Sequence, residues 1–165
     1  MSGSLLIKNR QRAKKINTRL LKTLTKTLLR ELLGLKTFDL VIYLVGKTEM
    51  AGINEKFLQH NGPTDVITFD YCSLELGTWN LELSPLHGEI FICPDVALTQ
   101  SRQFRASWQS ELARYVIHGV LHLRGFDDLS PAKRRKMKRE ENRLLREVAR
   151  LFPLSKLGVR SKLAP

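Results

Sequence analysis

The run FDLVIYLV at residues 38–45 limits what this chain can fold into more than any other stretch. It is β-branched and aromatic, too short for a typical helix and far below the ~20 apolar residues that span a bilayer, so it predicts a core strand. Ahead of it, Ile16, Leu20, Leu24, Leu28 and Leu32 recur every four residues and Leu21 and Leu33 widen the stripe. That period predicts an amphipathic helix, with Gly34 as its stop. Behind the strand, Thr48 is placed to cap a short helix with Met50, Ile53 and Phe57 on its inner face, ended by Asn61-Gly62-Pro63. VITFDY at 66–71 and GEIFIC at 88–93 predict further strands, and residues 72–87 between them fit either a hairpin or a long loop. Pro94-Asp95 opens the next helix, Ser107 caps one that runs to about Leu123 and stops at Gly125, and Ser130-Pro131 opens the last, with Met137, Leu144, Val148 and Leu151 as its stripe. This order predicts an α+β fold, a small mixed four-stranded sheet packed by about five helices in a single domain over residues 1–152. Residues 153–165 are expected to be a basic, loosely held tail.

The distribution of charge narrows the partners. The formal net charge is +12, and residues 1–36 carry ten Lys/Arg against one acid, whereas residues 37–130 carry six against twelve. Basic ends therefore flank an acidic middle, as expected of a protein that neutralises phosphates, although two solvated helices on a basic protein would give the same totals. No apolar run is long enough for a membrane span, and the N-terminus lacks a secretory h-region, so the cytoplasm is the expected compartment. Cys72 and Cys93 lie without a C-x-x-C spacing, and Cys93 reads as a buried reduced thiol. Neither a G-x-x-x-x-G-K-[ST] nor a G-x-G-x-x-G motif occurs, which argues against a nucleotide cofactor.

The chemistry concentrates in HGVLHLRGFDD at 118–128. On a helix, His118 and His122 stand one turn apart on a single face and can share an ion. Gly125 breaks the helix, so the chain can fold back and bring Asp127 or Asp128 to the same ion. Three protein ligands leave a fourth tetrahedral position for water, the pattern of a catalytic rather than a structural zinc site. The zinc-peptidase motif H-E-x-x-H needs glutamate where this chain has Gly119, which weakens a peptidase reading; a glycine there is expected to leave room beside the metal for a large polar group such as a phosphodiester. His60 and His87 each adjoin turn residues and read as loop positions, with a use near a cleft as the alternative.

PTDVITF at 63–69, GEIFICPDVA at 88–97 and HGVLHLRGFDD at 118–128 together resemble the YbeY family of bacterial metal-dependent endoribonucleases, collinearly over most of residues 38–150. The resemblance implies a small sheet packed by helices, a zinc ion held by three histidines at the rim of a cleft, cleavage of single-stranded RNA, and work on ribosomal RNA (the small-subunit 3′ end) and ribosome quality control. It assigns His118, His122 and Asp128 as metal ligands, the aspartate standing where the family usually has a third histidine. Aspartate is an acceptable zinc ligand and admits harder ions such as Mn²⁺ more readily. Where the family usually carries a cleft arginine, this chain has Leu58, which leaves Lys56 or His60 to serve. With Lys133, Arg134, Lys136 and Arg139 of the last helix, these are the candidate RNA contacts. The water on the metal would carry the reaction, and Asp127, the nearest unassigned carboxylate, would either orient a ligand histidine or serve as a turn residue. The rival reading is a non-catalytic RNA-binding factor in assembly of the ribosomal small subunit, whose metal holds a turn.

Overall fold

The computed structural model describes residues 2–72 and 85–160. Its strands are β1 (Gly3–Asn9), β2 (Phe38–Leu44), β3 (Val66–Asp70) and β4 (Leu86–Ile92). They form one mixed sheet in the order β1-β2-β4-β3, with β1, β2 and β4 parallel and β3 antiparallel to β4. The helices are α1 (Thr18–Thr27, continued by a π-helical turn over Leu28–Leu32), α2 (Lys47–Leu58), α3 (Pro94–Phe104), α4 (Trp108–Leu123) and α5 (Pro131–Leu151). The α+β class, the four strands and the five helices agree with the sequence reading. The strand that reading did not place is β1, whose Ser4, Lys8 and Asn9 leave it a weak apolar signal; only Leu5 is fully buried along it.

Alternation along the strands sets the layers. Leu40, Ile42 and Leu44 of β2 and Leu86, Ile90 and Ile92 of β4 point into the main core against α1, α4 and α5. Tyr43 and Phe91 point to the opposite face, stacked with centroids 4.5 Å apart, where Met50 of α2, Ile67 and Cys93 form a second, smaller cluster. Burial pushes the Cys93 thiol up.

Helix α4 is the centre of the domain. It packs on β3, β4, α3 and α5, and ten of its residues are buried on nearly every side. A helix this apolar all round belongs inside. Gly119 faces the sheet, and a Cβ there would meet Ile90 Cγ2 at 2.8 Å. The expectation that this glycine opens space beside a metal is therefore corrected: it permits close helix-to-sheet packing instead.

Other local expectations change for equally simple reasons. The strict four-residue repeat of α1 drifts around a helix of 3.6 residues per turn, so the buried face is Leu21, Leu24, Leu28 and Leu29, with Leu20 and Leu32 at its edge. Gly34 ends the element at φ +65°, as its position predicts. Gly46, not Thr48, caps α2, and Phe57 is exposed, edge-on to Phe69. The segment 72–87 joins antiparallel strands, Leu86 and His87 belong to β4, and residues 73–84 lie outside those described. Within the stretch expected as a loose tail, Leu154–Leu157 form a 3₁₀ turn, Leu157 is fully buried and its carbonyl accepts from Asn17 N at 2.8 Å. Val159 N donates to Lys15 O, so residues 153–159 are seated on the domain; residues 161–165 lie outside those described. No helix among the described residues is long and apolar enough to cross a membrane.

Candidate metal centre

Helix α4 ends in a Schellman turn, and that turn builds the site. Phe126 N donates to Leu121 O and Gly125 N to His122 O, both at 3.0 Å, with Gly125 at φ +89°. The reversal puts Phe126 O 3.1 Å from His122 Nδ1 and carries the following residues back past the helix end. Among the described residues, His118, His122 and Asp128 form a cluster whose ligand atoms all lie within 4.8 Å of one another. Helix spacing alone left Asp127 and Asp128 as alternatives and the resemblance named Asp128; it is the Asp128 carboxylate that lies in this cluster.

The two imidazoles are aimed at a common point. His118 Nδ1 lies 2.8 Å from Glu141 Oε2, and His122 Nε2 lies 3.0 Å from His118 Nε2. A carboxylate and a carbonyl can only accept, so the Nδ1 atoms carry the protons and both Nε2 atoms present lone pairs to each other. Two lone pairs so close repel unless a shared proton or a metal ion lies between them. With zinc–nitrogen bonds of about 2.0–2.1 Å, a separation of 3.0 Å subtends roughly 91–97° at a shared ion, a few tenths of an ångström short of the tetrahedral spacing. The donor set therefore fits a divalent ion, with two nitrogens, one carboxylate and an open side. Burial and the neighbouring His118 lower the pKa of His122, against an upward pull from Asp128, which keeps the ring neutral as a ligand must be.

Glu141 is the residue that sequence reasoning missed. It is 4% exposed in the middle of α5, where Oε2 meets His118 and Oε1 accepts from Arg114 Nη1 at 2.6 Å and from Lys138 Nζ at 3.5 Å. Burial alone would raise its pKa; the hydrogen bonds from His118 and Arg114 and the charge of Lys138 outweigh burial and bring it down to about 2. A signal was available, because position 141 falls inside the apolar stripe between Met137 and Leu144, where an acid needs a partner. Leu151, expected to extend that stripe, is 44% exposed. Asp127 does not orient a histidine: its oxygens accept from Leu129 N and Lys133 Nζ, both at 3.0 Å, and these bonds lower its pKa.

A cleft of about 720 Å³ opens beside the cluster, walled by α3, α4 and α5 and including His118, Asp128, Arg114, Arg134, Arg135 and Lys138 in its lining. Of the candidate RNA contacts, Arg134 lines it and donates to Asp128 O at 3.3 Å. Lys133 is engaged by Asp127, Lys136 lies over the Phe126 ring, and Arg139 is exposed elsewhere on α5. Lys56 lies over Phe57, and His60 is exposed just past α2. Neither they nor Leu58 line the cleft, whereas Arg135 and Lys138, unmarked in the sequence reading, do.

Fold and site thus define a small α+β protein with an open two-histidine, one-carboxylate ligand set on the wall of a basic-rimmed cleft. The family model described as Endoribonuclease YbeY matches residues 6–149, and the chain belongs to that family. It is 37% identical over 117 residues to the Endoribonuclease YbeY of Chlorobium luteolum, covering 71% of this chain and 79% of that one. With its counterpart from Parabacteroides distasonis it shares 36% over 115 residues, 70% and 75% of the two chains. The match to the Bacteroides thetaiotaomicron protein is 41% over 93 residues, 56% of this chain, and spans 61% of that relative's length. The solution structure of a Thermotoga maritima protein has the same fold, with a TM-score of 0.62 at 24% identity and 99% of each chain covered.

Proposed function

We propose that this chain is a metal-dependent endoribonuclease that cuts single-stranded RNA, working in the cytoplasm on ribosomal RNA of the small subunit and in ribosome quality control. The observation that carries this reading is the convergence of two imidazole Nε2 atoms 3.0 Å apart, each ring tied from behind, with the Asp128 carboxylate beside them. His118, His122 and Asp128 would hold zinc or, given the carboxylate, manganese. A divalent ion in this set supplies Lewis acidity to a phosphoryl oxygen and makes a water molecule acidic near neutral pH. The chain's own groups do the rest. Glu141 and Phe126 O keep both rings in the liganding tautomer, and Arg134, tied to the backbone of the ligand loop and lining the cleft, would offer its remaining N–H donors to a phosphate there. Arg135 and Lys138 extend that rim along α5, where neutralised phosphates release counterions.

The test is cleavage of a single-stranded fragment of small-subunit ribosomal RNA by wild type and His122→Ala, purified side by side to control for contaminating ribonuclease. Cleavage by wild type that is lost in EDTA and in His122→Ala is expected. RNA binding with no turnover in either protein would favour the non-catalytic assembly factor, and cleavage unchanged in EDTA would sink the metal mechanism.

A further inference from the structure

We propose that the cleft contains a nucleobase-stacking subsite, in which the ring of Phe104 is the platform and Arg134 and Arg135 face the adjoining phosphates. This deepens the endoribonuclease reading and rests on it.

Phe104 is the last residue of α3 and is 69% exposed, while Phe38 is buried and Phe126 and Phe152 pack against the main core. Among the described residues no ring or cation lies against it, unlike the other strongly exposed phenylalanine, Phe57, which meets Phe69. The backbone around it is nevertheless defined by a helix cap. Arg105 adopts the left-handed conformation at φ 53°, its N–H and that of Ala106 both donate to Ser101 O, and Ser107 caps α4 immediately afterwards. A large, mostly exposed apolar ring at a cleft edge, with no ring or cation against it among the described residues, is suited to a flat ligand.

The chemistry around the ring indicates which flat ligand. Gln100 precedes Phe104 by one helical turn, so both belong to one face of α3, and both line the cleft with His118 and Asp128. Tyr115 Oη donates to Gln100 Oε1 at 2.6 Å, and burial with Asp65 and Glu111 nearby raises the phenol's pKa, so it remains a donor. The carboxamide oxygen is thereby occupied, and its NH₂ is left to meet acceptors on a base edge. Of the acids in the lining, Glu111 and Glu141 are paired with Arg114, Glu141 also accepts from Lys138, and Asp65 accepts from Val66 N and Thr64. With Lys138 so engaged, the exposed cations of the rim beside the Asp128 carboxylate are Arg134 and Arg135. An aromatic platform facing a cationic rim is complementary to a base with its phosphates, and single-stranded RNA offers that base unpaired.

The experiment uses the full chain in EDTA, so that binding is read without cleavage, and labelled oligouridylate alongside an abasic ribose-phosphate oligomer of the same length. Fluorescence anisotropy at fixed salt gives the affinities of wild type, Phe104→Ala and Phe104→Trp. Loss of a stacked base predicts weakening of oligouridylate binding by about 5- to 150-fold in Phe104→Ala, restored in Phe104→Trp. All three proteins should bind the abasic oligomer equally. Urea midpoints equal to that of wild type confirm that the exposed position leaves folding intact. Equal oligouridylate binding by wild type and Phe104→Ala, or equal weakening on both oligomers, overturns the subsite. If metal-dependent cleavage persists alongside that result, the nuclease reading survives without it. If the wild type binds no RNA at low salt, both fall.

Discussion

Replacing Glu141 by glutamine separates the two tasks that its carboxylate performs. One oxygen faces His118 Nδ1 at 2.8 Å and the other faces Arg114 Nη1 at 2.6 Å, so both neighbours need an acceptor. Glutamine has one carbonyl oxygen, and whichever neighbour it serves, its NH₂ is turned against an N–H of the other. The variant therefore loses one charge-assisted hydrogen bond, about 1.5–3 kcal/mol, in the metal-free protein. Asn142 Oδ1, 2.8 Å from the same Arg114 nitrogen, limits the damage on that side. If the amide is turned against His118, the ring loses its anchor and zinc affinity should fall by about 10- to 100-fold. The assays are urea unfolding in EDTA and zinc competition against a chromophoric chelator, with Glu141→Asp as the shorter carboxylate. The pH dependence gives an independent check. The folded-state pKa of about 2 lies below the ordinary 4.5, so the carboxylate's stabilisation is complete above 4.5 and is lost as pH falls towards 2. The stability gap between wild type and Glu141→Gln in EDTA should therefore narrow across that window. A gap that stays constant from pH 6 to pH 3, with zinc affinity unchanged within twofold, would refute the argument.

Three further outcomes follow from packing and linkage. Gly119→Ala places a methyl 2.8 Å from Ile90 Cγ2 and should cost about 1–3 kcal/mol in urea unfolding while weakening zinc binding, because the shift it forces displaces His118 next to it. Leu157→Ala empties a fully buried position under the C-terminal turn and should cost about 2–5 kcal/mol; a loss below 0.5 kcal/mol would mean that the segment is not seated. RNA binding should weaken steeply as salt rises, and replacing Arg134 by alanine should make that slope shallower by about one unit; an unchanged slope would place no phosphate at Arg134.

Part of this molecule was legible from residue order because its causes are local. The stretches 38–45, 66–71 and 88–93 announce strands by composition, and Ser107, Gly125 and Ser130-Pro131 punctuate α4 and α5 where the structure bounds them. The pairing of His118 with His122 follows from one turn of helix. Strand β1 was not legible, because its stability comes from pairing with β2 along seven residues rather than from its own apolar pattern. Gly119 was misread for a related reason: space at a glycine depends on what faces it, and Ile90 is distant in sequence.

The sequence alone determined the class of fold, the histidine pair and the glycine that turns the chain back towards it, since each rests on helical period or on the φ that one residue type tolerates. Tertiary structure decided the rest of the site. It carried the Asp128 carboxylate to the two histidines, brought Glu141 from another helix to hold His118, placed Arg135 and Lys138 rather than Lys56 and His60 at the cleft, and seated Leu157 in the core. Those outcomes depend on which surfaces of α4 and α5 meet, and contact between helices is fixed by packing across the whole domain, a quantity that local spacing does not carry.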